Sequence, residues 1–90
     1  MEHIEFYVGE QRYLDFEVKS TRKEAFSIVD ADYTVTRKDG TEFDKGSATV
    51  MNGNTVRFLF TAREKGQFIV KLDVAIPPEL IEYKGLILVK

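Results

Sequence analysis

One histidine, fifteen carboxylates and no cysteine make up the reactive inventory of this 90-residue chain. A nucleophile–histidine–acid arrangement, or a histidine-ligated metal, would rest on His3 alone. His3 sits near a chain end in a segment that reads as an edge strand, where a solvated side chain is the plainer reading. A zinc site of the usual kind needs further His or Cys ligands. The absence of Cys also removes disulfides, iron–sulfur clusters and thiol catalysis. Acids gather at Asp30, Asp32, Asp39, Glu42 and Asp44. An Asp-x-Asp pair at the end of a β-sandwich can offer oxygen ligands to calcium. The same pair at a strand start also serves to face water or cap a turn, and that reading is preferred. Two-carboxylate glycoside hydrolysis needs acids about 5–10 Å apart across a cleft, which a small sandwich rarely provides. Gly40, Gly46, Gly53, Gly66 and Gly85 are isolated, as turn glycines are, and make no phosphate loop. The basic residues Arg22-Lys23, Arg37-Lys38, Arg63 and Lys65 are scattered. With a net charge of -2 and a pI of about 5.4, they argue against a dedicated binder of nucleic acid or anionic membrane. No catalytic residue, metal or cofactor is expected.

The elements that must position any functional side chain have a period of two. Leu14, Phe16 and Val18 alternate with Asp15, Glu17 and Lys19. The same pattern runs through Tyr33 and Val35, Ala48 and Val50, Val56 to Phe60, and Phe68 to Ile76. One apolar and one polar face is the mark of antiparallel strands covering a core on one side. Ile4–Val8 and Tyr83–Lys90 read as the first and last strands. Asp39-Gly40 and Asn52-Gly53 are hairpin signals. Gly9-Glu10, Lys45-Gly46, Glu64-Lys65-Gly66 and Lys84-Gly85 read as further turns or bulges. Pro77-Pro78 cannot donate to a ladder, so a loop is expected from Pro77 to Ile81, with Leu80 or Ile81 plugging the core. Ser20 to Ser27 is polar, with room for one helical turn capped by Thr21.

About seven short strands in one domain, residues 1–90, predict an all-β, immunoglobulin-like antiparallel β-sandwich. The Cys pair and Trp of antibody domains are absent. The expected core is Phe6, Leu14, Phe16, Val18, Tyr33, Val35, Val50, Val56, Phe58, Phe60, Phe68, Val70, Leu72 and Val74. Val8-Gly9-Glu10-Gln11 leads into the strand of Leu14, and Ile28–Val35 into the Asp39-Gly40 hairpin. Ala48-Thr49-Val50, the Asn52-Gly53 turn, Val56–Thr61 and Gly66–Val70 follow. This order of turns and strands resembles the small immunoglobulin-like proteins encoded in bacteriophage and prophage structural-gene regions. The resemblance implies a virion-structural or accessory role without catalysis. The Pro77-Pro78 loop departs from that family's pattern.

The candidate contact surface joins the apolar residues at outward positions, Tyr7, Tyr13, Leu59 and Ile69, to the Pro77–Tyr83 loop read as a recognition element, with Pro77, Pro78 and Tyr83. If the strands of Leu59 and Ile69 are neighbours, the two form one patch of the kind that marks partner contacts. An exposed edge strand is the other route to a partner. The expected function is therefore a non-catalytic structural or accessory module acting through protein–protein contacts, with virion components or further copies of itself as partners. The alternative is a carbohydrate- or cell-surface-binding sandwich using the exposed tyrosines; the lack of Trp counts against it. The N-terminus carries acids where a signal peptide needs a basic region. The longest aliphatic run, Leu86–Val89, is far short of the roughly 20 residues of a membrane span. A soluble chain made in the cytoplasm is expected, with virion association implied by the resemblance.

Overall fold

The computed structural model describes residues 2–18, 28–77 and 79–90, all as strands, turns and connections. The polar stretch 20–27, with its suggested helical turn, lies outside them. Eight strands follow in chain order: β1 (Glu2–Phe6), β2 (Gln11–Glu17), β3 (Asp30–Arg37), β4 (Glu42–Ser47), β5 (Thr49–Met51), β6 (Thr55–Thr61), β7 (Gly66–Ile76) and β8 (Glu79–Val89). They form a five-stranded sheet, β1-β8-β7-β3-β4, and a three-stranded sheet, β2-β6-β5. Opposing β2-β6-β5 to β8-β7-β3 is the immunoglobulin-like arrangement. β4 extends the larger sheet, and β1 has moved across to its other edge.

The strands form because their alternation gives each sheet one apolar face. Along β7, Phe68, Val70, Leu72, Val74 and Ile76 are buried, and from the other sheet Leu14, Phe16, Val56, Phe58 and Phe60 meet them. Aromatic rings fill the centre. Phe60 packs on Phe6 (5.0 Å), Phe43 (5.9 Å) and Phe68 (6.3 Å), while Phe58 stacks on Tyr33 (4.1 Å) and Phe16 (6.0 Å). The expected core residues are all buried except Tyr33 and Val50, which are half-buried against it. Ile28, Ala31, Ala62, Ile76, Ile87 and Val89 complete the core.

The structure corrects four details of the expected layout. β1 pairs in parallel with β8, Phe6 beside Val89, so among the described residues the strands are antiparallel everywhere but at this edge. The chain then crosses to the small sheet at Gly9 (φ 95°), whose N–H donates to the Ala62 carbonyl (2.8 Å). The expected 77–81 loop is a tight connection. β8 begins at Glu79, Leu80 pairs with Ala75, and Ile81 with Val74. Leu80 is exposed, because its register position puts it on the outer face, and only Ile81 touches the core. Gly46 and Gly85 lie inside β4 and β8 rather than in turns. At Gly46 the reason is the partner ring: a Cβ there would stand 3.1 Å from the Tyr33 Oη and 3.2 Å from Cε1. The two hairpin signals do form turns: Gly40 has φ 92°, and Asn52 and Gly53 have φ 54° and 74°. Asp39 Oδ1 closes the first turn by accepting from the Thr41 N–H (2.9 Å) and hydroxyl (2.6 Å), which holds the Asp39 carboxyl below its ordinary pKa.

Candidate functional site

β2 and β6 run antiparallel, so period-two alternation puts Gln11, Tyr13, Asp15 and Glu17 on the outer face beside Thr61, Leu59, Arg57 and Thr55. Tyr13 is the direct cross-strand partner of Leu59, and Asp15 that of Arg57. Tyr13 and Leu59 are 62% and 41% exposed. Asp15 and Arg57 form a two-pronged pair, Nε to Oδ1 at 2.6 Å and an Nη2 to Oδ2 at 2.9 Å. That fork pins the guanidinium, whose Cζ lies 5.1 Å from the centre of the Tyr13 ring. The pair therefore fixes one cation against one aromatic face. Hydrogen bonding from Arg57 holds the Asp15 carboxyl below its ordinary pKa, and the same bond raises that of Arg57. Gln11 Nε2 donates to Thr61 Oγ1 (2.8 Å) at the far end of the face. The result is a small, pre-ordered platform of one aromatic ring, one aliphatic side chain and one held cation.

The remaining contact candidates are elsewhere. Ile69 is exposed on the outer face of the five-stranded sheet, beside Leu86 and Thr36. Leu59 and Ile69 thus lie on opposite faces of the sandwich and do not form one patch, because β6 and β7 belong to different sheets. Tyr7 is exposed in the turn between β1 and β2, its N–H donating to Glu10 Oε1 (2.5 Å). Pro77 is exposed at the β7–β8 turn, and Pro78 lies outside the described residues. Tyr83 pairs with Leu72, faces inward and packs against the core, so it is not on the outer surface. Asp15 and Arg57 were not singled out from the sequence. The alternation places both outward, but only the register makes them cross-strand partners beside Tyr13.

The other polar groups have local partners or lie apart. His3 is exposed on β1. Among the described residues no three His, Cys, Asp or Glu side chains come together as a metal would need. Asp30 Oδ1 accepts from the N–H of its neighbour Ala31 (3.0 Å) at the start of β3. Asp44 faces inward, where a bulge between Val35 and Thr36 also turns Phe43 toward the core. There Asp44 accepts a hydrogen bond from the Tyr33 hydroxyl; burial, first, and the Asp44 charge raise the Tyr33 pKa. An open depression of about 320 Å³ lies between the β3–β4 turn and the start of β7. Arg37 spans it, bonded to Glu64 (2.8 Å) and the Glu42 carbonyl (3.0 Å). A second, of about 390 Å³, lies over Asp32, Thr34, Lys45 and Ser47. Among the described residues no helix is long and apolar enough to cross a membrane.

No family model matches the chain, and no curated protein matches it. Among solved structures it is similar to a Bacteroides vulgatus protein described as a "putative glycoside hydrolase", with a TM-score of 0.54 and 13% identity. The likeness covers 100% of this chain and 17% of that one, so it spans about a sixth of the neighbour's length. At that identity the likeness is one of fold.

Proposed function

We propose that the chain is a non-catalytic structural or accessory module that works through protein–protein contacts, using the outer face of its three-stranded sheet. The observation that carries this reading is the Tyr13–Leu59 pair with Arg57 held over the ring by Asp15. Tyr and Arg are the residues enriched at the energetic centres of interfaces, and a pre-ordered side chain loses little entropy on binding. A phage or prophage setting, with virion components as partners, rests on the order of strands and turns in the sequence. The experiment is a photo-crosslinking residue at position 59 in the source cell, with a second at Thr55, four residues along β6 on the same face. A discrete protein adduct from position 59, lost when Tyr13→Ser is added, is the expected result. Absence of any adduct from position 59 under every growth condition overturns it.

The second reading is a carbohydrate-binding accessory sandwich. It is favoured by one observation: a similar solved structure is a small part of a chain described as a "putative glycoside hydrolase". Against it, Arg57 already covers one face of the Tyr13 ring. A glycan array showing a ligand whose binding disappears in Tyr13→Ala would establish this reading in place of the first.

A further inference from the structure

The outer face of the five-stranded sheet carries its charges in rows that run across the strands. Register sets Lys84, Lys71, Thr34 and Lys45 side by side on β8, β7, β3 and β4. Two residues further along the strands it sets Glu82, Asp73, Asp32 and Ser47 side by side. A basic row therefore abuts an acidic row. Each is flanked on its far side by an apolar pair: Leu86 and Ile69 beyond the lysines, Leu80 and Ala75 beyond the acids. Leu80 is 75% exposed and Ile69 37%. Within the face, Lys71 approaches Glu82 at 3.6 Å and Asp73 at 4.0 Å, and Lys84 approaches Glu82 at 3.5 Å. These are long, exposed pairs of little net strength, which leaves the charges able to gain a second partner.

We propose that this face binds the same face of a second copy of the chain. The two-fold axis lies in the interface and runs across the strands, between the basic and acidic rows. Rotation about it lays each strand antiparallel on its own copy. Lys71 then meets the partner's Asp73, Lys84 meets the partner's Glu82, and Leu86 meets the partner's Leu80. Such a face is complementary to itself, as an isologous interface requires. Moving the axis onto either row would set like charge on like, so the charges also fix the register. This contact is independent of the Tyr13 platform on the opposite sheet.

The face covers roughly 450 Å² of plane, at about 4.8 Å between strands and about 3.4 Å per residue. A standard interface buries about 800 Å² per partner, so the dimer is weak and salt-sensitive. The test is sedimentation velocity of the intact chain across a concentration series at low and high salt. The expected result is a mass that climbs toward two chains with concentration at low salt and falls back as salt rises. The variants Lys71→Glu/Lys84→Glu and Asp73→Lys/Glu82→Lys should each stay monomeric. An equimolar mixture of the two should dimerise, because every row then faces its opposite. The milder variants Lys84→Glu and Glu82→Lys, run in the same way, serve if a double variant melts well below the parent. A parent that is monomeric at every concentration overturns the proposal. So does a dimer that survives both reversals, or a mixture of folded variants that stays monomeric.

Discussion

The two outer faces of this sandwich are built by the same alternation but filled differently. The small sheet shows an aromatic ring, an aliphatic side chain and one cation held by a short two-pronged pair. The large sheet shows alternating rows of charge with long, exposed pairs between them. The inner faces do not differ in this way; both are mainly aliphatic and aromatic, because both meet the same core, with Asp44 at its edge bonded to Tyr33. Folding constrains the inward residues and leaves the outward ones largely free. The contrast between the outer faces therefore carries information about contacts that the core does not. A rigid aromatic–Arg platform suits a foreign partner, whereas rows of opposite sign suit a second copy.

The largest effect should come from removing what both faces share. Phe60 touches Phe6, Phe43 and Phe68, drawing on both sheets. Phe60→Ala should cost about 3–5 kcal/mol in urea unfolding, enough to abolish both surfaces together. Near-parental stability would mean that the sheets do not depend on a common centre. Next is Gly46→Ala, where the new methyl presses on Tyr33 while Phe58 stacks behind that ring at 4.1 Å. A loss of about 1–3 kcal/mol is expected for overpacking, and a melt equal to the parent would show that the ring has room to retreat.

Two pH experiments separate the edge of the core from the platform. The Tyr33 pKa is raised in the fold by burial and by Asp44. Its contribution is therefore intact below the ordinary value of about 10 and lost as pH rises through the folded value. Tyr33→Phe should flatten the alkaline limb of stability and remove the upward-shifted component of the tyrosinate absorbance titration. The Asp15 pKa is lowered, first by its hydrogen bond from Arg57. That contribution is present above about 3.9 and disappears as pH falls through the folded value. Asp15→Asn should thus lie below the parent at neutral pH and converge with it in acid, as followed by chemical unfolding at each pH. The smallest effect belongs to Leu59→Ser, which should alter stability by no more than about 0.5 kcal/mol. A larger loss would show that Leu59 supports the fold instead of waiting for a partner.

Much of this architecture was legible in the order of residues. Leu14, Phe16 and Val18, or Phe68 to Ile76, declare a strand and its buried side, because apolar area must leave water and a strand alternates faces. Asp39-Gly40 and Asn52-Gly53 declare their turns, because Gly40, Asn52 and Gly53 suit positive φ and the Asp39 carboxylate closes its turn onto Thr41. Pro77-Pro78 was misleading. Proline forbids ladder donation at its own position only, so β8 resumes at Glu79. Gly46 and Gly85 read as breaks because glycine is rare inside strands, yet Gly46 makes room for a ring from the neighbouring strand. The candidate surface was legible one residue at a time and not as a surface.

By itself, then, the sequence determined which side of the regularly alternating strands is buried, where the hairpins turn, and that Tyr13, Leu59 and Ile69 face outward. Those are local consequences of alternation and turn chemistry. Only the tertiary structure decided which strands are neighbours. It sent Leu59 and Ile69 to opposite faces, turned Tyr83 inward, set Arg57 over the Tyr13 ring, and laid Lys71 and Lys84 in one row beside Asp73 and Glu82. The reason is physical: alternation along one strand says nothing about the register between strands. Register emerges only when the whole core is packed at once.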